Sequence, residues 1–424
     1  MIKGGPRVVT DGLVLCLDAH DAKSYAGEPT TNNLDSSDRA NANTGPNVSY
    51  NFASIAITKE VVNYSSDRPH VYRFKSTNAT GYVSIGYNSS IQNQSGSVYA
   101  FSFDYKVVRA DSGTTTNLHT AGMTVYGNGY KNPTSSTIAS NVTSSEVELS
   151  DGWKRVTKTY TCGYTGYNQT RQNLMTQDTG DFEVLIDNIQ FEDKTYSTPF
   201  ANLSRSATNG WVDRSGNSNS GTLTNMIGTE VTHYRDGQVI MPVANSYLDF
   251  DGSNDYVTIG TNPTGIDQVQ VPLTICAWVW ADSFGSYNPI WAADKSTSGG
   301  GLYSMLRVDG GTLKYFTTDS TGGIQSRSGP SLSTNTWYFL AATVSGTTSS
   351  ATVNFYLNGS LSSSSALSVM YSSPMANVEF RIGANERTSG ERWDGKIPIV
   401  YWYNKALTAA EVLSNYNATK GRFS

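Results

Sequence analysis

The sequence predicts an all-β protein made of two antiparallel β-sandwiches of the jelly-roll type, the second nested in a loop of the first. Three observations lead there. Charged residues make up only 15% of the chain while Gly, Ser, Thr, Asn and Tyr are plentiful, a composition suited to short strands joined by polar turns. Long helical periodicity is absent, whereas runs of alternating apolar and polar residues recur from the first strand to the last. At 424 residues the chain exceeds one ordinary sandwich and suffices for two.

The first strand spans Gly12 to Asp18 and is apolar almost throughout, as a strand covered on both faces would be. A turn-rich stretch follows, Tyr25 to Pro29. The next strands are half-buried by their alternation: Val71–Lys75, Tyr82–Tyr87, Tyr99–Tyr105, Trp153–Tyr160 and Phe182–Glu192. Glu146 and Glu148 border a Ser/Thr-rich stretch and are expected in a solvated turn. Further on, Tyr247–Phe250 and Tyr256–Ile259 flank the polar turn Asp251–Asp255. The apolar density of Leu273–Trp280 marks an inner strand and places Trp278 and Trp280, with Trp337 of the strand Trp337–Val344, in the core. Asn358-Gly359 ends the strand Val353–Leu357 in a type I′ turn, whose two central residues need positive φ. Pro398 lacks an amide hydrogen and so implies an edge or a bulge within Gly395–Tyr403. One short helix begins at Thr408, where Glu411 completes a Thr-x-x-Glu capping box.

The block Tyr247–Ile259, the strand Trp337–Val344, the hairpin ending in Asn358-Gly359 and the terminal Tyr403–Val412 together resemble concanavalin A-like (laminin G-like) jelly rolls. The opening Gly12–Tyr25 resembles jelly-roll virion proteins of tailed phages, in which a Trp-x-Asp-x-Ser-Gly-Asn segment soon follows. Here that segment arrives only at Trp211–Asn217. The resemblance therefore implies one domain of residues 1–31 and 203–424, with residues 32–202 inserted after its first strand, because exposed loops tolerate insertions. Phe182–Glu192 and the exit segment Tyr196–Phe200 resemble jelly-roll carbohydrate-binding modules, which implies that class for the insert.

Composition excludes several functions. The formal net charge is −5 and Lys and Arg are scattered, so no footprint for nucleic acid is visible. No apolar run approaches the ~18 residues of a membrane span. The amino end carries no apolar signal core, which predicts folding in a cytoplasm. Cys16, Cys162 and Cys276 form neither a CxxC pair nor a zinc pattern and are expected as free thiols. The paired carboxylates of sandwich glycosidases, spaced Glu-x-Asp-x-x-Glu, do not occur, and the four His residues are dispersed, so no enzyme is expected.

Two kinds of site are candidates. The resemblance to carbohydrate-binding modules implies a structural calcium at Asp187, with Asp35 as its upstream partner. Asp251, Asn254 and Asp255 crowd a second set of oxygen ligands into one turn, although Asp and Asn there can equally satisfy turn amides. Tyr126, Tyr130, Tyr164 and Tyr167 lie in Gly-rich segments, where their rings could stack on sugar or pack against a neighbouring subunit. Together these features predict a non-enzymatic phage surface protein, attached to capsid or tail. It would assemble in the host cytoplasm as a homo-oligomer, contact other virion proteins and adhere to cell-surface glycan. The alternatives are a capsid decoration or tail-fibre protein that binds no sugar, and a polysaccharide hydrolase with carboxylates from separate loops.

Overall fold

A computed structural model describes residues 7–21, 23–25, 30–31, 47–51, 57–65, 68, 71–88, 94–110, 123–126, 139–163, 165, 169–194, 197, 204–226, 247–261, 263–266, 271–295, 302–370, 378–385 and 390–423. The protein is all-β, and its one α-helix among the described residues is Ala409–Thr419. The chain divides into two compact units. One comprises Met1–Pro29, Ser206–His233 and Met241–Ser424; the other comprises Thr30–Arg205 and Tyr234–Ile240.

The first unit holds two seven-stranded antiparallel sheets. One runs in the order Leu13–Asp18, Asp394–Tyr403, Leu273–Ala281, Trp337–Thr347, Ser350–Leu357, Ser360–Leu367, with Leu248–Asp251 also pairing Asp394–Tyr403. The other runs Thr222–Thr224, Tyr256–Thr261, Val378–Ile382, Asn288–Lys295, Leu302–Asp309, Thr312–Thr318, Ile324–Ser331. Alternation fixes what each strand buries. Leu273, Ile275, Ala277 and Val279 join Leu340, Ala342, Val344, Trp291 and Phe380 in the main core, while Cys276 and Trp278 point the other way. The turn Asp251–Asp255 is a corner between sheets, since the strand before it pairs Asp394–Tyr403 and the strand after it pairs Val378–Ile382.

Leu13–Asp18 lies at a sheet edge, paired on one side with Asp394–Tyr403 from Leu13↔Tyr403 to Asp18↔Ile399. Its other edge meets the Trp211–Asn219 loop instead of a strand. The Cys16 amide donates to Asp213 Oδ1 at 2.9 Å, and the Cys16 carbonyl accepts from the Arg214 amide at 2.9 Å. The Val14 carbonyl accepts from Ser215 Oγ at 3.0 Å and Asn219 Nδ2 at 2.9 Å. Asp213 is buried and also accepts from the amides of Ser215 and Asn219. The loop thus satisfies groups that an open edge would present to other chains. Trp211 anchors it, fully buried and paired by backbone hydrogen bonds with Gly221.

Pro398 lies inside the sheet and falls at a bulge. The ladder steps from Trp278↔Ile399 to Trp280↔Lys396, so three residues answer two and the proline escapes the pairing. The extra residue also reverses the faces: Ile397 and Val400 both enter the main core. Asn358 and Gly359 take positive φ of 51° and 81°, as the hairpin requires. Thr408 and Glu411 form the reciprocal capping box, with the Thr408 amide donating to Glu411 Oε2 at 2.8 Å.

The second unit is an eight-stranded antiparallel sheet in the order Asn47–Asn51, Val71–Asn88, Gln169–Glu192, Val98–Ala110, Lys154–Cys162, Ala139–Glu148, with Ile57–Val62 beside the second strand and Met123–Tyr126 beside the third. The strands expected at 71–75 and 82–87 are one, because the polar segment between them continues the ladder and register shifts in Gln169–Glu192 absorb the irregularity. The closing strand likewise starts at Gln169 rather than Phe182. Glu146 and Glu148 are on a strand rather than in a turn; Glu146 pairs with Lys154 at 2.9 Å and accepts from the Tyr105 hydroxyl at 2.7 Å. The incoming Thr30–Thr31 and outgoing Ser204–Arg205 pair antiparallel, so the two ends of this unit lie side by side.

A buried ionic network organises the same sheet. Asp104 accepts from Arg68 at 3.0 Å, Arg155 at 2.8 Å and Asn188 Nδ2 at 2.8 Å, while Arg68 also reaches Asp187 at 2.8 Å. The Arg68 guanidinium lies 4.1 Å from the Trp153 ring centroid. Two arginines face two aspartates, so burial leaves no net charge.

Two outcomes follow in denaturant unfolding. Asp213→Ala strands three amides, that of Asn219 buried and those of Cys16 and Ser215 partly so, and is expected to destabilise the first unit by about 2–4 kcal/mol. Asp104→Ala removes a carboxylate that Arg68 and Arg155 share and is expected to destabilise the second unit by about 3–5 kcal/mol.

Candidate functional site

The outer face of the sheet that begins with Leu13–Asp18 is covered unevenly. The helix Ala409–Thr419 and the tail residue Phe423 pack on Cys276, Trp278, Phe339, Ala341, Ile399, Tyr401 and Tyr403. Trp278 Nε1 donates to Thr419 Oγ1 at 2.8 Å, which fixes the end of the helix over that ring. Beyond the cover, one cross-strand row remains partly open: Asp249↔Lys396, Lys396↔Trp280, Trp280↔Trp337. Trp280 and Trp337 are therefore half-buried on the outward face, a correction to their expected place in the core. Apolar density marks a strand as internal without saying how far along it the cover extends.

The row is an aromatic surface with charged neighbours, its rings tilted by 53° to 56° from one to the next. The rings of Trp280 and Trp337 lie 5.5 Å apart, and Tyr247 leans in to 6.0 Å from Trp337. Lys396 Nζ sits 5.4 Å from the Trp280 ring and 5.5 Å from that of Tyr247. Asp282 holds this geometry: it accepts from Trp280 Nε1 at 2.7 Å and from Lys396 at 3.1 Å through each oxygen. The strands can approach because residue 395 is glycine, whose φ is +127° and whose Cβ, if present, would collide with the Trp280 carbonyl. Burial pushes the Asp249 carboxyl up to about 6; Lys396 opposes the shift, and Asp282 and Asp394 reinforce it.

Past Trp337 the aromatic strip continues into a cavity of about 280 Å³. Trp278, Trp337, Tyr416 and Phe423 wall it, with Asn358, Lys420 and Gly421 at its rim. Phe423 bridges the two tryptophans, 4.4 Å from Trp278 and 4.9 Å from Trp337. Trp337 belongs to both strip and cavity, so the two adjoin and combine aromatic faces with polar groups, as small-ligand sites do.

Tyr126 ends the strand Met123–Tyr126, opposite Gln169. Tyr130, Tyr164, Tyr167 and Asp35 fall outside the described residues. Asp187 meets Arg68, and a guanidinium at 2.8 Å opposes a second cation there. In the corner turn, Asp251 Oδ1 accepts from the amides of Ser253 and Asn254, and Asp255 Oδ2 accepts from that of Asp251. Among the described residues no three His, Cys, Asp or Glu side chains converge as metal ligands. The sequence did carry a signal for the open row: Trp280 is the penultimate residue of its strand, two positions before Asp282, and Trp337 begins the strand that pairs with it.

A family model described as the Concanavalin A-like lectin/glucanases superfamily matches residues 251–413. That part of the chain is a concanavalin A-like, laminin G-like jelly roll. No curated protein matches the chain. Among solved structures it is similar to a Trypanosoma rangeli sialidase (13% identity, TM-score 0.37, 50% of this chain and 31% of that one). It is also similar to the receptor-binding domain of botulinum neurotoxin type G (18%, TM-score 0.33, 48% and 47%). A third likeness is a heptameric pentraxin of Limulus polyphemus (19%, TM-score 0.27, 34% and 69%). The chain spans less than half the length of the first two. At such TM-scores these likenesses add no argument about function.

Asp249 makes the first unit sensitive to pH. Its folded carboxyl titrates near 6 against an ordinary 3.8, so between those values the folded state holds a proton that the unfolded state has lost. The contribution to stability is fully present below about pH 4, falls as pH rises towards 6, and is flat above. Thermal melts of Asp249→Asn are expected to lose this decline and to exceed wild type at pH 7.

Proposed function

We propose that this protein is a non-enzymatic, lectin-like surface protein that holds a glycan on the strip formed by Tyr247, Trp280 and Trp337. One observation carries the reading: a helix and a tail cover most of an aromatic sheet face and leave these three rings partly exposed, bordered by Lys396 and Asp282. Pyranose rings present C–H groups that pack on aromatic faces, while hydroxyls take hydrogen bonds from a charged rim. The concanavalin A-like fold of residues 251–413 is compatible with this, although fold alone assigns no ligand.

We further propose that the protein sits on a phage particle, attached to capsid or tail, and contacts other virion proteins in several copies. The resemblance of Gly12–Tyr25 and Trp211–Asn217 to tailed-phage virion proteins supports this. In this reading the middle unit is an insertion after the first strand. The side-by-side pairing of Thr30–Thr31 with Ser204–Arg205 is what an insertion requires, since a guest with adjacent ends leaves its host's core undisturbed. Weak single-site stacking would be multiplied by copy number.

A glycan array probed with the full chain tests the binding reading. Trp337→Ala is expected to weaken every glycan bound by at least about tenfold, the scale of a tryptophan anchor, while Tyr164→Ala and Tyr167→Ala leave binding intact. Binding that survives Trp337→Ala and is lost on removing those tyrosines would move the site to the middle unit.

A further inference from the structure

We infer that the cavity at the end of the strip takes an anionic sugar, one bearing a carboxylate, so that the ligand is an acidic glycan. This rests on the glycan-binding reading above and adds the chemical class of the ligand.

The rim supplies hydrogen-bond donors. Asn358 uses its side-chain oxygen to accept from the Phe339 amide at 2.9 Å, which leaves its NH2 group to donate. Trp278 Nε1 is already engaged with Thr419 Oγ1. Lys420 brings three N–H donors and a full positive charge, 5.4 Å from the Tyr416 ring. The Tyr416 hydroxyl and the second lone pair of Asn358 Oδ1 can still accept, whereas Lys420 can only donate. A ligand group that meets the Lys420 ammonium must itself accept, and a carboxylate accepts at both oxygens.

Charge points the same way. The other cations around this sheet face are matched: Lys396 with Asp282 at 3.1 Å, Lys405 with Glu411 at 2.7 Å, Arg422 with Asp18 at 2.6 Å. Lys420 forms no ion pair with a described residue. One term opposes an anion, the carboxy-terminal end of the helix Ala409–Thr419, whose dipole amounts to roughly half a negative charge. A full unit of charge on Lys420 at that same helix end outweighs it. A cationic ligand is disfavoured too, because the Lys420 ammonium already occupies the face of Tyr416. The neutral residues of the same glycan would continue along Trp337, Trp280 and Tyr247, where no unmatched cation lies.

An array of paired oligosaccharides tests this, each uronic-acid or sialylated member printed beside its neutral parent, probed with the full chain as wild type, Lys420→Gln and Trp337→Ala. The expected result is that wild type binds acidic members roughly five- to tenfold more tightly than their parents. Lys420→Gln should erase that preference while still binding the neutral parents, and raised salt should narrow the gap in wild type only. Equal binding of acidic and neutral members by wild type, or a preference that persists in Lys420→Gln, overturns the inference while leaving glycan binding in place. Binding of no glycan by wild type overturns the reading beneath it.

Discussion

The first unit depends on one buried carboxylate. Asp213 takes the amides of Cys16, Ser215 and Asn219, and so fastens a loop along the outer edge of a strand that arrives from the far amino end of the chain. Without that loop, Leu13–Asp18 would be an open edge held on one side only, with Val14 and Cys16 offering unpaired backbone groups to any passing strand. With it, the strand completes the sheet whose neighbour, Asp394–Tyr403, supplies both core residues and the outward Lys396. The clasp is polar and directional, so it sets register where apolar packing alone would tolerate a slip.

The same sheet shows how a binding surface arises from incomplete cover. An eleven-residue helix is marginal alone and needs tertiary anchors. Here they are the capping box, the Trp278–Thr419 bond, and Asn415, whose amide donates to the Tyr403 hydroxyl while its oxygen accepts from the Val9 amide. Those anchors place the helix over Trp278 and stop it short of Trp280 and Trp337. The bulge at Pro398 matters as well: by shifting the ladder it sets Lys396 opposite Trp280, and Asp282 can then hold both. Stability and the proposed binding surface are therefore neighbours on one row of residues.

Local chemistry was legible in the sequence wherever it acts over a few residues. The Thr408–Glu411 box, the Asn358-Gly359 turn and the bulge at Pro398 follow from the demands of single side chains on their own backbone. What escaped is set at long range. Asp104 meets Arg68 from 36 positions away and Arg68 meets Asp187 from 119, so the ionic network has no signature in spacing. Trp280 and Trp337 share the alternation of core neighbours, and only the reach of a distant helix separates them from Trp278. The polar segment after Lys75 suggested a break because its residues favour turns, yet pairing with Gln169–Glu192 overrides that preference.

The most direct test follows the indole N–H resonances of the eight tryptophans while the best-bound glycan is titrated into the full chain. The account predicts shifts at Trp280 and Trp337, with Trp211, Trp291, Trp393 and Trp402 unmoved in the core. Unchanged indoles at Trp280 and Trp337 on saturation with glycan would contradict it.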